Sequence, residues 1–363
     1  MHPVPAPIGA GFFHQINLVV GAAFFTIRIV SSAMIAENRR IRWGVLGYAR
    51  IARENLIPAM QRSSNSEFHA IASREESKLA DCSARFKMAK AFRSYDELLS
   101  DSEVEAVYIP LPNSLHCEWT LKAADHGKHV LCEKPIALST RECRNMIAAC
   151  AAHKINLMEG FMYRYTDRTR RVLDVLRSGV LGDIKYVHST FRFLLANPAS
   201  IKLKPELGGG ALYDVGCYPV NFVGMVADQA AGSSDAAVLP ESVSVECVRA
   251  KGVDTMFSAL LKYPSGLIAS VNCGFNAHKR VFSEITGTRG VLEIPDTFLD
   301  DAGFLTLTVG DERRRLPVEQ SDRYRLEVED FADAILRGRA PQFSLAETQR
   351  NAEVMDLLLA ASE

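Results

Sequence analysis

The chain lacks the features that mark several specialised classes of protein. Its eight cysteines include no Cys-x-x-Cys pair and no zinc-site spacing, so we predict reduced thiols, a cytoplasmic location and no bound metal. A formal net charge of −1 over 363 residues leaves no basic face for nucleic acid. Apolar residues reach 48% and charged residues 23%, which is typical of a soluble globular protein.

A long hydrophobic run is also missing. The apolar stretch at residues 18–27 ends at Arg28, well short of the roughly 18 to 20 residues of a membrane helix. No Lys or Arg precedes it, so the charged start of a secretory signal is absent. We predict no membrane partner. We interpret residues 1–36 as a disordered extension or the product of a non-native start, with an amphipathic anchor as the alternative.

From residue 41 to residue 160, short apolar runs alternate with helix-length amphipathic stretches. Fully apolar strands separated by helices predict a parallel sheet covered on both faces. We therefore predict a doubly wound, Rossmann-type dinucleotide-binding domain at residues 37–160. Its predicted strands are 41–46, 68–72, 106–109, 129–132 and 155–158.

After residue 160 the pattern changes. Strand-length runs follow one another without helices between them, and Lys262-Tyr-Pro-Ser-Gly266 is typical of a hairpin turn. The chain closes with two helix-length stretches, at residues 324–336 and 345–361. The sequence thus predicts an α/β protein whose second domain, residues 161–363, is built on an open, mainly antiparallel sheet.

The first segment with a chemical signature joins the first strand to a helix and reads Gly44-Val-Leu-Gly47-Tyr-Ala-Arg-Ile-Ala52. Gly47 permits a tight turn, and the following amides can approach a pyrophosphate at the positive end of the helix. Alanines stand at the usual second and third glycine positions, so a plain strand–helix turn is the alternative. The predicted cofactor-binding residues here are Gly47, Tyr48, Ala49, Arg50 and Ile51.

The segments that follow the second, third and fourth predicted strands are expected at the same crevice. Ser73 and Arg74 stand where an NAD-preferring fold carries an acid, so we predict NADP as the preferred cofactor, with NAD possible. Glu133-Lys134-Pro135 places a lysine at the carboxyl edge of the sheet, where a nicotinamide would lie. Simple helix capping is the alternative for the loop residues Asn113 and His116. The predicted cofactor-binding residues at these ends are Ser73, Arg74, Pro112, Asn113, His116, Glu133 and Lys134.

The second domain contains the segment Gly208-Gly-Gly-Ala-Leu-Tyr-Asp214-Val-Gly-Cys-Tyr218-Pro. Its three glycines allow close approach to a ligand, and Asp214 and Tyr218 share a face if the segment is helical. Together with Lys134, this acid and this phenol form a plausible proton-transfer set. The alternative is a glycine-rich loop whose Asp caps a helix and whose Tyr belongs to the core.

With these motifs in this order, the chain from about residue 41 resembles the Gfo/Idh/MocA family of NAD(P)-dependent oxidoreductases. The resemblance is greatest to the branch with glucose–fructose oxidoreductase, xylose dehydrogenase and dihydrodiol dehydrogenase. It also rests on Pro110-Leu-Pro-Asn-Ser-Leu-His116 and Gly160-Phe-Met-Tyr-Arg-Tyr165. Tyr218 stands where many members of the family carry His, and the named branch characteristically carries Tyr.

The resemblance implies hydride transfer between a nicotinamide cofactor and a sugar or cyclic polyol, in a homodimer or homotetramer. Lys134 would bind the reacting hydroxyl, Tyr218 would exchange its proton, and Asp214 would orient the substrate. Lys134 is expected to lower the pKa of the Tyr218 phenol. Arg164 would line the same pocket or form a structural ion pair. The alternatives are a ketoreductase of nucleotide-linked sugars, an inositol 2-dehydrogenase-like enzyme, and a non-catalytic dinucleotide-binding regulator.

Overall fold

The computed structural model describes residues 15–20, 23–28, 39–232 and 237–363. The chain forms two compact units, residues 1–39 and 40–363. In the first unit, strands β1 (Gln15–Val20) and β2 (Ala23–Arg28) pair as an antiparallel hairpin, which the sequence analysis did not predict. The rest of the predicted extension lies outside the described residues, so its nature stays a prediction.

The second unit begins with a six-stranded sheet in which every neighbouring pair is parallel. Its strand order is β5-β4-β3-β6-β7-β8, so the chain reverses direction across the sheet between β3 and β6. In such a fold the carboxyl ends of these central strands form the ligand crevice. The strands are β3 (Ile41–Leu46), β4 (Ser66–Ala72), β5 (Lys90–Phe92), β6 (Ala106–Ile109), β7 (His129–Glu133) and β8 (Leu157–Gly160).

Helices connect these strands, as expected for parallel pairing. The five predicted strands are confirmed to within two residues, because each is an apolar run. Strand β5 and helix α3 were missed, because three and six residues are too short for a periodic signal. The helices are α1 (Ile57–Arg62), α2 (Glu76–Arg85), α3 (Tyr95–Ser100), α4 (His116–Asp125) and α5 (Thr140–Ala152).

An eight-stranded sheet follows, in the order β10-β11-β12-β9-β13-β14-β15-β16. All its pairs are antiparallel except β12 with β9, which confirms the predicted α/β architecture with a mainly antiparallel second sheet. The last two strands were not predicted, and the edge strand among them carries three successive arginines instead of an apolar run. The strands are β9 (Ile184–Leu194), β10 (Ser242–Ala250), β11 (Val253–Lys262), β12 (Ile268–Gly274), β13 (Asn276–Gly287), β14 (Gly290–Pro295), β15 (Gly303–Val309) and β16 (Glu312–Val318).

The C-terminal helices bind the two sheets together. Phe331 of the penultimate helix lies 5.5 Å from the Trp43 ring in β3, measured between ring centroids. The helix before it covers one face of the second sheet, against β9 and β12. Among the described residues, the helices are all too short or too polar to cross a bilayer. These helices are α6 (Asp167–Arg177), α7 (Cys217–Ala230), α8 (Arg323–Arg337) and α9 (Leu345–Ala360).

Candidate active site

The turn after β3 has the conformation that its glycine predicts. Gly47 adopts φ +96°, a region that L side chains rarely enter, and its N–H donates to the Ala72 oxygen at 2.9 Å. A helical stretch starts at Arg50 and continues through a π-helical segment, Ala52–Leu56, into α1. The free amides of its first turn lie at the crevice edge, where they could hold a pyrophosphate.

The side chain of Tyr48 does not face this crevice. Its hydroxyl donates to Asp81 Oδ2 at 2.9 Å, and the residue is buried. Burial and the hydrogen bond to Asp81 raise the pKa of Tyr48 well above its ordinary value. The predicted contact of Tyr48 with a cofactor is therefore limited to its main chain. Ile51 likewise packs against the hydrophobic core, whereas the Arg50 side chain is exposed.

The end of β4 opens onto a surface cavity of about 370 Å³. Arg74 is exposed there, and the cavity is also lined by Arg93, Tyr95 and Trp119. Ser73 is buried and its hydroxyl accepts from the Glu75 N–H at 3.2 Å, so it shapes the turn. Asp96 and Glu118 line the cavity as well, and Arg93 is ion-paired with Glu76 at 2.7 Å, so Arg74 is the cation that could meet the 2′-phosphate of an NADP ribose.

The polar side chains of the loop after β6 contact main-chain oxygens of neighbouring segments. Asn113 Nδ2 donates to the Gly208 oxygen at 2.9 Å, which ties this loop to the glycine-rich segment. His116 is completely buried, with Nδ1 2.8 Å from the Pro135 oxygen and Nε2 2.9 Å from the Leu111 oxygen. Burial lowers the pKa of His116 to about 4. Both ring nitrogens face main-chain carbonyls, and a cofactor contact of His116 stays a prediction.

Lys134 follows β7 directly and reaches the second half of the protein. Its Nζ donates to the main-chain oxygen of Asp214 at 2.6 Å and lies 4.9 Å above the Tyr218 ring centroid. Burial favours the neutral amine, but the negative charges that Cys217, Asp214 and Glu133 can carry outweigh it and raise the pKa of Lys134. The side chain is 13% exposed. A charged ammonium therefore stands at the crevice edge with N–H donors to spare.

Glu133 points away from Lys134 and into the sheet. Its Oε1 accepts from the Tyr108 hydroxyl at 2.6 Å, on the neighbouring strand β6. Burial raises the pKa of Glu133, although Lys134 and Tyr108 act in the opposite direction. Because this carboxyl group is buried and paired with a phenol, it supports the strand end, and a contact of Glu133 with a cofactor stays a prediction.

Asp214 is the meeting point of two lysines. It lies in a π-helical segment, Leu212–Gly216, that leads into α7. Its carboxylate is ion-paired with Lys202, while Lys134 Nζ is 4.0 Å from the other carboxylate oxygen. The structure thus places Lys134 and Asp214 close together, as predicted. Lys202 was not predicted as a site residue, because the loop that carries it has no periodic pattern that would have placed it.

Tyr218 lies in an aromatic cluster beneath Lys134. It is 5% exposed, and its hydroxyl donates to the Met162 sulfur at 3.5 Å. Burial, followed by the nearby Tyr324, raises the pKa of this phenol well above its ordinary value. The expectation that Lys134 brings that pKa down toward neutrality is therefore wrong. Burial dominates because the ring is packed on all sides by Phe161, Tyr163, Phe191 and Phe298.

Arg164 belongs to the interior. Its Nη1 donates to Glu347 Oε1 at 2.8 Å and to Asn221 Oδ1 at 3.3 Å, and its guanidinium lies 5.1 Å from the Phe343 ring centroid. The side chain is 14% exposed. Of the two interpretations of Arg164, the structure contains the ion pair, and a contact of Arg164 with substrate stays a prediction.

The three glycines bring the chain close to itself. A Cβ on Gly209 would lie 2.6 Å from the Lys202 oxygen, and one on Gly208 would lie 2.9 Å from the Asn113 Cβ. Gly208 and Gly210 also have positive φ angles of 73° and 126°. These glycines let the segment that carries Asp214 pack against its neighbouring loops, and their approach to a ligand stays a prediction.

Comparison with known proteins identifies the family. Residues 41–161 match the oxidoreductase family with an NAD-binding Rossmann fold, and residues 169–293 match the GFO/IDH/MocA C-terminal domain. The chain belongs to the Gfo/Idh/MocA oxidoreductase family. It is 36% identical to D-xylose 1-dehydrogenase (NADP(+)) 2 of Haloferax volcanii, over 88% of this chain and 97% of that one.

Two further relatives extend the range of chemistry. The chain is 31% identical to dTDP-3,4-didehydro-2,6-dideoxy-alpha-D-glucose 3-reductase of Saccharopolyspora spinosa, over 83% of this chain and 89% of that one. It resembles the crystal structure of a 3-ketoreductase from Actinomadura kijaniata in complex with NADP and TDP-benzene, with a TM-score of 0.82. In that comparison 28% of residues are identical, over 90% of this chain and 98% of that one.

This Gfo/Idh/MocA protein is accordingly an NAD(P)-dependent oxidoreductase, and the residues present fit such a cofactor. The turn at Gly47 with the helix that follows offers amides to a pyrophosphate, and the exposed Arg74 lines the cavity at the end of β4. The cofactor supplies the hydride chemistry. Near the crevice the chain has the ammonium of Lys134, the carboxylate of Asp214 and the phenol of Tyr218.

One further cluster of the oxidoreductase has metal-ligand residue types. His69, Asp101 and Glu103 present ligand atoms within 4.8 Å of one another. The ammonium of Lys90 already contacts both carboxylates, at 2.7 Å from Asp101 Oδ2 and more closely at Glu103. We interpret the cluster as an ion-pair network. The absence of a metal stays a prediction.

Proposed function

We propose that the chain transfers hydride between NADP and the hydroxyl-bearing carbon of a sugar or cyclic polyol, in the manner of an aldose 1-dehydrogenase. The observation that carries the proposal is the position of Lys134, whose ammonium spans from the nucleotide-binding sheet to Asp214. The relation to a D-xylose 1-dehydrogenase over nearly the whole chain supports it. A small polyhydroxylated substrate suits a site with several hydrogen-bond donors and one carboxylate.

In this proposal Lys134 donates a hydrogen bond to the reacting oxygen, Asp214 orients the substrate, and Tyr218 exchanges the proton. The phenol is protonated at neutral pH, as the proton donor in carbonyl reduction must be, although its raised pKa makes it a weak acid in this structure. Variants of the Actinomadura kijaniata ketoreductase replace a lysine and a tyrosine. These two residues are as many positions apart as Lys134 and Tyr218, which supports the same pairing here.

The cofactor preference is tested by fluorescence. Trp119 lines the same cavity as Arg74, so a bound adenine nucleotide should change its emission. Titration with NADPH and with NADH should give clearly tighter binding of NADPH. Aldoses and cyclic polyols are then screened with NADP, following absorbance of the reduced coenzyme. Turnover of an aldose supports the proposal, and no binding of either coenzyme would overturn it.

A ketoreductase acting on a nucleotide-linked sugar is the second candidate. It is favoured by the 0.82 TM-score against a ketoreductase bound to TDP-benzene. It is opposed by the engagement of Lys202 with Asp214, which removes that cation from any diphosphate pocket. A 3-keto dTDP-sugar and free aldoses, each assayed with the matching NADP redox form, separate the two activities.

We also propose a cytoplasmic homodimer or homotetramer. The outer face of the second sheet exposes Val248, Leu260 and Ile268 by 57%, 53% and 45%, which is unusual for large aliphatic side chains on an antiparallel sheet. All eight cysteines are free, in keeping with a reducing compartment. Light scattering should report an oligomer, and Leu260→Glu should shift it to monomer.

A further inference from the structure

The carboxylate of Asp214 has two lysines within reach, and they bind it differently. Lys134 Nζ donates to the main-chain oxygen at 2.6 Å and stays 4.0 Å from Oδ1. Lys202 takes the carboxylate itself. The ammonium that bridges the two halves of the protein is therefore not neutralised by direct contact with the nearest acid.

The position of Lys202 is built into the fold. It lies in a short 3₁₀ turn, Ile201–Leu203, and the Ser200 hydroxyl accepts from its N–H at 3.3 Å. Its main-chain oxygen accepts from the Gly210 N–H at 2.9 Å, and Gly209 approaches the same oxygen too closely for any larger residue. The loop is thus fastened to the segment that begins the Asp214 helix.

The side chain of Lys202 is held between a ring and a charge. Its Nζ lies 5.7 Å from the Phe193 ring centroid, and one third of the side chain is exposed. A partly buried ion pair is weakly screened by solvent, so it can control where the carboxylate points. Without Lys202, the nearest cation for this carboxylate is Lys134, and closing a 4.0 Å gap requires only a rotation of the Asp214 side chain.

We propose that Lys202 is a positioning residue of the active site: by holding the Asp214 carboxylate, it keeps Lys134 available for the reacting oxygen of the substrate. The inference rests on the proposed function, because it concerns the same site. It deepens that function by giving the loop before the glycine-rich segment a defined part in it.

The test compares Lys202→Met with Lys202→Arg and Lys204→Met, using the aldose that the wild type turns over best. Lys204 is an exposed lysine two residues away, so its variant controls for a change in the loop. Lys202→Met should lower kcat about 100-fold with little change in NADPH affinity. Its pH–rate profile should shift upward by about one unit, because a cation near the reacting groups is lost. Lys202→Arg should retain most activity with the wild-type profile.

Each result decides the proposal. If Lys202→Met behaves like Lys204→Met, Lys202 has no part in positioning, while the proposed function stands. Loss of activity that Lys202→Arg does not rescue, with an unshifted pH profile, would make Lys202 merely structural and overturn the inference. If Lys202→Met does not fold, Lys202→Gln provides the same uncharged comparison. A wild type without turnover of any sugar would overturn the proposed function, and this inference with it.

Discussion

Two cation–carboxylate groups in this oxidoreductase show how the interior differs from the crevice. Arg164 and Glu347 are less than 20% exposed, and Arg164 also donates to Asn221. Glu347 in turn receives the N-cap hydroxyl and N–H of Ser344. All of these contacts are made to other residues of the protein, so the Arg164–Glu347 pair stabilises the fold.

The crevice group is arranged differently. Lys134 has three N–H donors, and one is directed at the Asp214 main-chain oxygen. Lys202, which balances the Asp214 carboxylate, is 34% exposed, so water or a ligand can reach the group. The comparison indicates that donors held at a strand end but not consumed mark the reactive site. Charge and burial alone do not distinguish the two groups.

The largest expected effect is on catalysis at Lys134. Lys134→Met removes the ammonium while keeping a side chain of similar length, and kcat should fall about 1,000-fold. Dissociation constants for NADPH, measured by fluorescence, should change only a few-fold, because the pyrophosphate turn at Gly47 is untouched. Full turnover in this variant would remove Lys134 from the chemistry.

Substitution in the interior pair, Arg164 and Glu347, should reduce stability. Arg164→Met leaves the Glu347 carboxylate buried without its main partner, so the free energy of unfolding should fall by about 3 kcal/mol. Urea denaturation followed by circular dichroism measures this change. Arg337→Met is the matched control, because that arginine is 74% exposed in its pair with Asp333 and should cost below about 1 kcal/mol. Equal effects in both variants would contradict the comparison.

Two phenols near Lys134 test which tyrosine exchanges the proton. The Tyr218 hydroxyl donates to a thioether, which is a weak acceptor that costs little to give up. Tyr218→Phe should therefore fold normally and lower kcat about 100-fold. Tyr324 provides the comparison: burial raises its pKa to about 12, and the charges of Arg323 and, to a smaller extent, Lys134 oppose the rise. If Tyr324→Phe lowers kcat and Tyr218→Phe does not, the proton-exchanging phenol is Tyr324.

The sequence could predict the parallel sheet because its strands are apolar runs, and it could predict Lys134 because a strand end delivers its main chain to the crevice. It could not predict which way neighbouring side chains point. Tyr48 and His116 stand at crevice turns but face inward, where the Tyr48 hydroxyl donates to Asp81 and the His116 ring nitrogens lie beside main-chain carbonyls. Lys202 was missed for the converse reason, since its role depends on a tertiary contact with Asp214.

A buried acid beside the Lys134 turn should make stability depend on pH. Glu159 Oε1 accepts from the Ile136 N–H at 2.9 Å, and burial raises the pKa of this carboxyl to about 8. The folded state therefore retains a proton between about pH 4.5 and 8 that the unfolded state releases, so stability falls as pH rises through that range. Glu159→Gln cannot titrate. Its stability relative to wild type should rise with pH by at most about 1.4 kcal/mol per unit and level off above about pH 8.

This difference isolates Glu159 from the other buried groups. His116, whose pKa is lowered to about 4, destabilises the fold as pH falls below its unfolded value, but it does so in both proteins and cancels. Urea denaturation at pH 5, 6, 7 and 8 gives the relative stability. A constant difference would mean that Glu159 is ionised in the fold at pH 5, as a partner of Lys134 instead of a neutral acid.

The smallest effect is expected at the other end of the cofactor. Arg74 is exposed, so its attraction to a 2′-phosphate is screened by solvent, and Arg74→Ala should weaken NADPH binding about fivefold. NADH has no such phosphate, and its affinity should not change. The effect should shrink as salt rises from 50 to 500 mM, because exposed charges are screened over a few ångströms. Equal loss for both coenzymes would assign Arg74 to the shared pyrophosphate or adenine. The Lys134 side chain is largely buried, so the effect of Lys134→Met on kcat should persist at high salt. This difference in salt dependence distinguishes the exposed Arg74 from the buried Lys134.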